Sequence, residues 1–247
     1  MSKVKKIIIA ALIFVVLAIV AMIPIPYVIE SPGTAEEVSQ FLTISGAKDE
    51  DPGSLRVLTV YVEQATVLTY FKKFLKHHEM VPSEEVFGDY TPEEFDALQE
   101  FSMRNARSKA VRVAFEAAGK TVERHVNGIF VTRVDKNSNF RDKLQVGDII
   151  ETIDGKSPGN TDESFEALRY YLAGLEPGHT LVLQVKRDDA TQTISAQLKM
   201  DSRTGGIRLG FAGEVDEDVT SDPSVEFDPH GVSGPSGGLM FTLEIYN

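Results

Sequence analysis

Ser236 stands in "GVSGPSGGLMFTLEIYN", residues 231–247, with glycines around it and an apolar run behind it. A serine hydroxyl becomes a nucleophile when a neighbouring base takes its proton and N–H groups hold the oxyanion that forms. The flanking glycines permit a tight turn that presents the hydroxyl outward, so Gly234, Pro235 and Gly237 are the expected nucleophile turn. "GLMFTLEIY" reads as a buried helix whose free N-terminal amides would supply the oxyanion donors. Glycine-serine turns are common in proteins, and the competing reading is a turn that only reverses the chain.

The chain offers few partners for such a serine. His230, six residues before Ser236, lies near Asp228, but closeness in sequence does not set hydrogen-bond geometry. No lysine follows Lys199. His77 and His78 with Glu79 invite a metal reading, yet adjacent positions on a helix point about 100° apart and do not readily share an ion. Together with His125 and His179 they are expected to be solvated or half-buried. The absence of cysteine excludes disulfides, thiolate zinc sites and cysteine nucleophiles. No metal site and no cofactor is expected.

A chain of 247 residues with 42% hydrophobic and 25% charged residues predicts two compact units and a tether. Residues 7–23, "IIIAALIFVVLAIVAMI", form an uncharged apolar stretch after Lys3, Lys5 and Lys6. It is just long enough to cross a bilayer core of about 30 Å. Lysines before it, and a first acid only at Glu30, predict a single-pass cell-membrane anchor with the N-terminus cytoplasmic and the bulk of the chain extracellular. A cleaved signal peptide is the alternative. Residues 30–247 hold 22 basic and 37 acidic side chains, net −15, which argues against nucleic acid as a partner. The acidic run "EVDEDV" (214–219) reads as a solvated face.

Behind the anchor, "SLRVLTVYVE" (54–63) reads as a strand, and Val67, Tyr70, Phe71, Phe74, Leu75 and His78 recur at helical spacing. "TPEEF" (91–95) opens a helix with Thr91 as N-cap and Pro92 at the first position, and Gly119 closes it. "GIFVTRV" (128–134) is a strand, "LQVGDIIETIDGKSP" (144–158) two short strands around turns, and "TDESFEALRYYLAG" (161–174) a capped helix. "HTLVLQVKR" (179–187) and "TQTISAQL" (191–198) make a hairpin across "DDA". After the polar bridge "KMDSRT", a new unit is expected from residue 205.

Residues 118–198, with the pattern L-x-x-G-D-x-I-x-x-I-D-G, resemble a PDZ domain of the bacterial protease type. The resemblance implies a module that adds a ligand strand to an exposed edge and captures a terminal carboxylate in backbone amides. Carried over, Gly128, Ile129, Phe130 and Val131 are the expected carboxylate loop and edge strand, while Phe165, Leu168 and Leu172 line the facing pocket. The alternative for the helix residues is that they are simply core, above all Leu172.

"GPSGGLMFTLEIY" resembles the nucleophile motif of Lon-type serine peptidases, with Gly237 where that family usually has alanine. With "ESPGTAEEV", "HHEMVPSEEVFG" and the PDZ pattern, the chain resembles the membrane-anchored PDZ and Lon-domain peptidases of Gram-positive bacteria. That resemblance implies an α+β chain: a membrane anchor over 1–29, a mixed strand-helix region over 30–118, a PDZ β-sandwich over 119–199, and the start of an incomplete Lon-type proteolytic domain over 205–247. It implies an endopeptidase with a Ser-Lys dyad, Ser236 being the catalytic serine. Its substrates would be extracytoplasmic peptides or unstructured segments recruited by the PDZ domain, their C-termini being one point of capture. The dyad lysine would lie beyond Asn247, so the chain is expected to be inactive as it stands. No Gly-x-x-x-x-Gly-Lys-[Ser/Thr] loop occurs, which predicts independence from ATP. Two other readings stay open: a non-catalytic membrane-anchored peptide-binding protein, and an assembly role for the helical region 66–118. Self-association is open in all three.

Overall fold

A computed structural model describes residues 3–46, 53–228 and 232–247. In chain order its elements are α1 (Lys3–Ala21), β1 (Pro24–Glu37), β2 (Leu42–Ile44), β3 (Arg56–Thr66), β4 (Glu79–Pro82), α2 (Ser83–Phe87), α3 (Pro92–Ala117), β5 (Glu123–Val134) and β6 (Ile149–Ile153). Then come α4 (Asp162–Ala173), β7 (Thr180–Arg187), β8 (Ala190–Gln197), β9 (Lys199–Met200), β10 (Ile207–Arg208), β11 (Phe211–Thr220), β12 (Val225–Phe227) and α5 (Gly238–Tyr246). They divide into two compact units, Met1–Glu36 with Arg56–Pro92, and Glu37–Leu55 with Glu93–Asn247.

In the first unit α1 has 19 residues and a mean hydropathy of 2.7, and none of its apolar window is buried. By length and composition it is a membrane span or a signal sequence. β1 is the centre of a three-stranded sheet in the order β3-β1-β4, antiparallel to β4 from Tyr27↔Pro82 to Glu30↔Glu79. The helical spacing over 67–78 yields only a 3-10 helix, Thr69–Phe74, and leaves Phe71, Phe74 and Leu75 exposed. His77 takes a positive φ of 62° directly after it, so His77 and His78 occupy a turn rather than a helix.

The second unit is built on a five-stranded sheet in the order β11-β5-β6-β7-β8. β7 and β8 form the expected hairpin, and Asp188 and Asp189 at its tip both have positive φ, 47° and 63°, as a two-residue type I′ turn requires. α4 begins with a capping box in which Thr161 accepts from the Ser164 amide, and ends at Gly174. One face of the sheet buries Ile129, Val131, Ile150, Ile153, Leu181, Leu183 and Val185 with Leu168 of α4. The other face carries α3, whose Phe101 stacks on Phe130 at 4.0 Å with the rings 5° from parallel. α3 thus covers β5 from the second face, while on β7 that face leaves Thr180, Val182 and Lys186 exposed.

The stretch expected to open a new unit at 205 instead returns to this sheet. β11 pairs antiparallel with β5 over its whole length, from Phe211↔Val134 to Thr220↔Glu123, with bulges at 212/213 and 216/217. Its acids are a solvated face only in part: Glu214 and Asp218 are exposed. Asp216 and Glu217 are buried, and each meets an arginine: Arg104 Nη2 donates to Asp216 at 3.0 and 3.1 Å, and Arg124 Nη2 to Glu217 at 2.7 Å. β12 pairs with β2, and the aromatic rings of Phe41 and Phe227 meet Phe241 of α5 edge-on at 6.3 and 5.6 Å. α5 buries Phe241 and Ile245 but exposes Leu239, Leu243 and Tyr246, so it is a half-buried helix and not the fully buried one its sequence suggests.

Candidate peptide-binding site

The motif between Leu144 and Gly155 acts through packing and hydrogen bonds. Leu144, Ile150 and Ile153 point into the core. Asp148 is buried, accepts from the Gln145 amide at 2.8 Å, and takes Arg187 Nε and Nη2 at 2.6 and 2.7 Å. That hydrogen bonding holds the Arg187 guanidinium above its ordinary pKa, against the burial that pulls it down. Asp154 caps the far end of the motif. Its carboxylate accepts from the Val182 amide at 2.8 Å and the Tyr171 hydroxyl at 2.7 Å, and lies 2.7 Å from His179 Nε2. Burial alone would raise the Asp154 pKa, but these three partners outweigh it and hold the carboxyl below its ordinary value. Every conspicuous residue of the motif is therefore occupied in building the sheet, and the ligand edge must lie elsewhere.

Gly128, Ile129, Phe130 and Val131 do not form an edge. On one side they pair with Asp216, Val215, Glu214 and Gly213 of β11; on the other, Ile129 and Phe130 pair with Ile150 and Ile149 of β6. All four are buried, and a Cβ on Gly128 would stand 2.6 Å from the Ile150 carbonyl oxygen. A ligand strand has no room beside β5, which corrects the sequence-based expectation for these residues. Leu168, expected in the pocket, is likewise core at 3% exposure. Phe165 and Leu172 are only half-buried against that core, and the structure leaves them available at its rim.

The sheet's edge strands are β8 and β11, and among the described residues β11 pairs with β5 alone. The first turn of α4 is tied to β11 through Arg124, which bridges Asp162, at 2.9 Å, to Glu217 on β11. The hydrogen bond from Arg124 holds the Asp162 carboxyl below its ordinary pKa. Phe165 and Leu172 of α4, with Leu209 and Phe211 at the start of β11, all pack half-buried against the same core. A strand edge flanked by a helix with apolar side chains at the rim has the form needed to take an extended peptide by strand addition. Sequence reasoning missed β11; the signal it carried was Phe211, Val215 and Val219 recurring among polar residues.

The structure places the serine turn in the same unit, against α3. Pro235–Gly237 is one turn of 3-10 helix leading into α5, and Gly234 before it has φ 100°. Ser236 is exposed, and no hydrogen-bond partner for its Oγ stands among the described residues. His230 lies outside the described residues. Gly237 is buried, and a Cβ there would lie 2.8 Å from the Phe241 ring, so alanine at this position would require the ring to move. Next to the turn, a cavity of about 390 Å³ between α3 and α5 is lined by Asn105, Lys109, Glu214, Pro235, Gly238 and Thr242. Among the described residues no cluster of three or more histidines and acids is arranged to hold a metal ion.

Comparison with known proteins bears on this sheet alone. A PDZ-domain family model matches residues 102–198. The crystal structure of the PDZ domain of the SdrC-like protein of Listeria monocytogenes is similar at 24% identity, over 35% of this chain and 87% of that one, with a TM-score of 0.30. The corresponding domain from Listeria innocua is similar at 24% identity, over 36% of this chain and 94% of that one, with a TM-score of 0.31. No curated protein sequence matches the chain. The α+β chain therefore contains a PDZ domain, a fold that binds peptides, behind an apolar N-terminal helix.

Proposed function

We propose that this chain is a membrane-tethered PDZ protein that holds an extended peptide along the open edge of β11, with α4 as the opposite wall. The observation that carries the reading is the unpaired side of β11, with Arg124 tying β11 to the first turn of α4, whose Phe165 and Leu172 are half-buried. A peptide added antiparallel to β11 runs toward Phe211 at its own C-terminus, so a terminal carboxylate would fall beside Leu209 and Phe211. α1 is the tether, crossing the membrane with Lys3, Lys5 and Lys6 on the cytoplasmic side. The test is titration of the isotopically labelled full chain, in detergent, with a peptide and with its C-terminal amide. Backbone amide signals of residues 209–219 and of α4 should shift more than those of 128–131, and the free acid should bind more tightly. Shifts confined to other strands would remove β11 as the site; equal affinity of acid and amide would remove terminal recognition.

The second reading is that this recruitment serves hydrolysis, with Ser236 as the nucleophile of a Ser-Lys endopeptidase. Its support is the exposed Ser236 in a glycine-flanked turn at the start of α5, together with the resemblance of "GPSGGLMFTLEIY" to the Lon-type motif. In that reading the peptide held on β11 is substrate, and the same unit carries both groove and nucleophile.

A further inference from the structure

We infer that residues 67–76 form a second membrane contact, an interfacial segment that lies in the headgroup region of a phospholipid bilayer beside the end of α1. The inference rests on the reading of α1 as a membrane span. Two backbone hydrogen bonds fix the segment to that helix end: the Leu68 amide donates to the Ala21 carbonyl at 2.9 Å, and the Val67 amide to the Ile23 carbonyl at 3.1 Å. Leu68 is therefore held level with the last turn of α1. The 3-10 helix Thr69–Phe74 that follows rises about 2 Å per residue, so its far end lies within about 12 Å of that level. The headgroup zone on each side of the hydrocarbon core is about 5–7 Å deep, and much of the segment falls in or next to it.

The side chains suit that place. Leu68, Phe71 and Phe74 are 63%, 67% and 72% exposed, a degree that large apolar side chains seldom keep together on a surface facing water alone. Residues 67–78 contain Lys72, Lys73 and Lys76 and no acid, in a 30–247 portion whose net charge is −15, and of these Lys72 pairs with Glu63 of β3. Lys73 lies over the Tyr70 ring, 3.7 Å from its centroid, and Tyr70 meets Phe71 edge-on. Aromatic side chains interspersed with lysines at the end of an apolar span are the composition of a membrane-water boundary, where the rings sit among the headgroups and the ammonium groups reach the lipid phosphates. A protein partner would have to match the apolar rings and the lysines at this one height on the helix end; a lipid surface does so by its own layering.

The chain has no tryptophan, so single substitutions report position without background from that residue. Full-chain Phe71→Trp and Phe74→Trp, with Phe14→Trp in α1 as the depth reference, are reconstituted in vesicles of equimolar phosphatidylcholine and phosphatidylglycerol. Lipids brominated near the headgroup or at mid-chain serve as quenchers. Phe71→Trp and Phe74→Trp should lose fluorescence chiefly to the shallow bromines, and Phe14→Trp chiefly to the deep ones. Adding Lys72→Gln, Lys73→Gln and Lys76→Gln to Phe74→Trp should reduce the shallow quenching. If Phe14→Trp is quenched while Phe71→Trp and Phe74→Trp are not, the inference is overturned and the anchor stands; blue-shifted but unquenched emission would mean a protein surface covers the segment and would overturn it equally. An unquenched Phe14→Trp would overturn the anchor reading, and the inference with it.

Discussion

Asp148→Ala tests whether the motif that signals this fold is structural, as its geometry indicates. The substitution removes three accepted hydrogen bonds, from Arg187 Nε, Arg187 Nη2 and the Gln145 amide, at 2.6, 2.7 and 2.8 Å. Arg187 keeps one bond, to the Lys143 carbonyl at 2.9 Å, and its side chain is 26% exposed. Breaking a buried ion pair by removing one partner costs about 3–5 kcal/mol, because the other charge is left without compensation. Partial access of Arg187 to water puts this case toward the lower bound. The unit concerned has roughly 170 residues, for which 1 kcal/mol moves the melting temperature by about 2–4 °C. The expected fall is therefore about 6–20 °C, and nearer the smaller figure. Thermal unfolding followed by circular dichroism, with denaturant titration at fixed temperature, measures it. Asp148→Asn keeps an acceptor and should lose less, and Asp148→Ala combined with Arg187→Met should recover part of the loss by removing the stranded charge. A drop below about 1 kcal/mol for Asp148→Ala, or a double variant no better than the single one, would refute the argument that this pair sustains the turn.

Two further outcomes follow from the site. The Asp154 carboxyl is held below its ordinary value, so its contribution to stability is complete above the unfolded-state pKa of about 4 and is lost as the pH falls through the depressed folded-state pKa. The urea midpoint of Asp154→Asn should thus lie below that of the parent near neutrality and converge with it in acid; a gap independent of pH would refute the assignment. Ser236 is exposed and lacks a hydrogen-bonded base among the described residues, and base assistance supplies about 10²–10⁴-fold in rate. Peptide hydrolysis by this chain is accordingly expected to equal that of Ser236→Ala, with stability unchanged; cleavage lost on that substitution would show that a base reaches Ser236 after all.

What the sequence disclosed were the features settled by neighbours along the chain. Thr161, with Ser164 three residues on, caps α4, and the Asp188–Asp189 pair turns the β7–β8 hairpin. The interior of the motif was legible for the same reason, since Leu144, Ile150 and Ile153 carry an apolar spacing that any buried strand and turn would show. "EVDEDV" could not be read in this way. Its two buried charges, Asp216 and Glu217, are met by Arg104 and Arg124, 112 and 93 residues away in the chain, and no local pattern announces such partners. The segment 67–78 failed in the opposite direction: its helical spacing is real, but spacing alone does not state whether a face finds a protein core.

The misplacement of the expected ligand edge has one physical origin, and it also bears on the role proposed for β11. "GIFVTRV" looks like an edge because glycine precedes an apolar run, but a strand is an edge only if no later segment pairs with it, and β11 arrives about eighty residues afterwards to do so. An edge strand invites unwanted pairing, and charges are the usual means of limiting it. β11 carries Glu214, Asp216, Glu217 and Asp218, two of them turned inward onto arginines. A slip of one residue would send Asp216 to the core face and leave Arg104 without its bidentate partner, so the inward acids fix the register of β11 on β5. Fixing register there holds the outer edge of β11 as a rigid row of backbone groups, the template that the proposed peptide would have to match. Burial of paired charge of this kind adds little net stability, and its use is specificity; on β11 it fixes the pairing with β5 and so limits the unwanted pairing that an exposed strand invites.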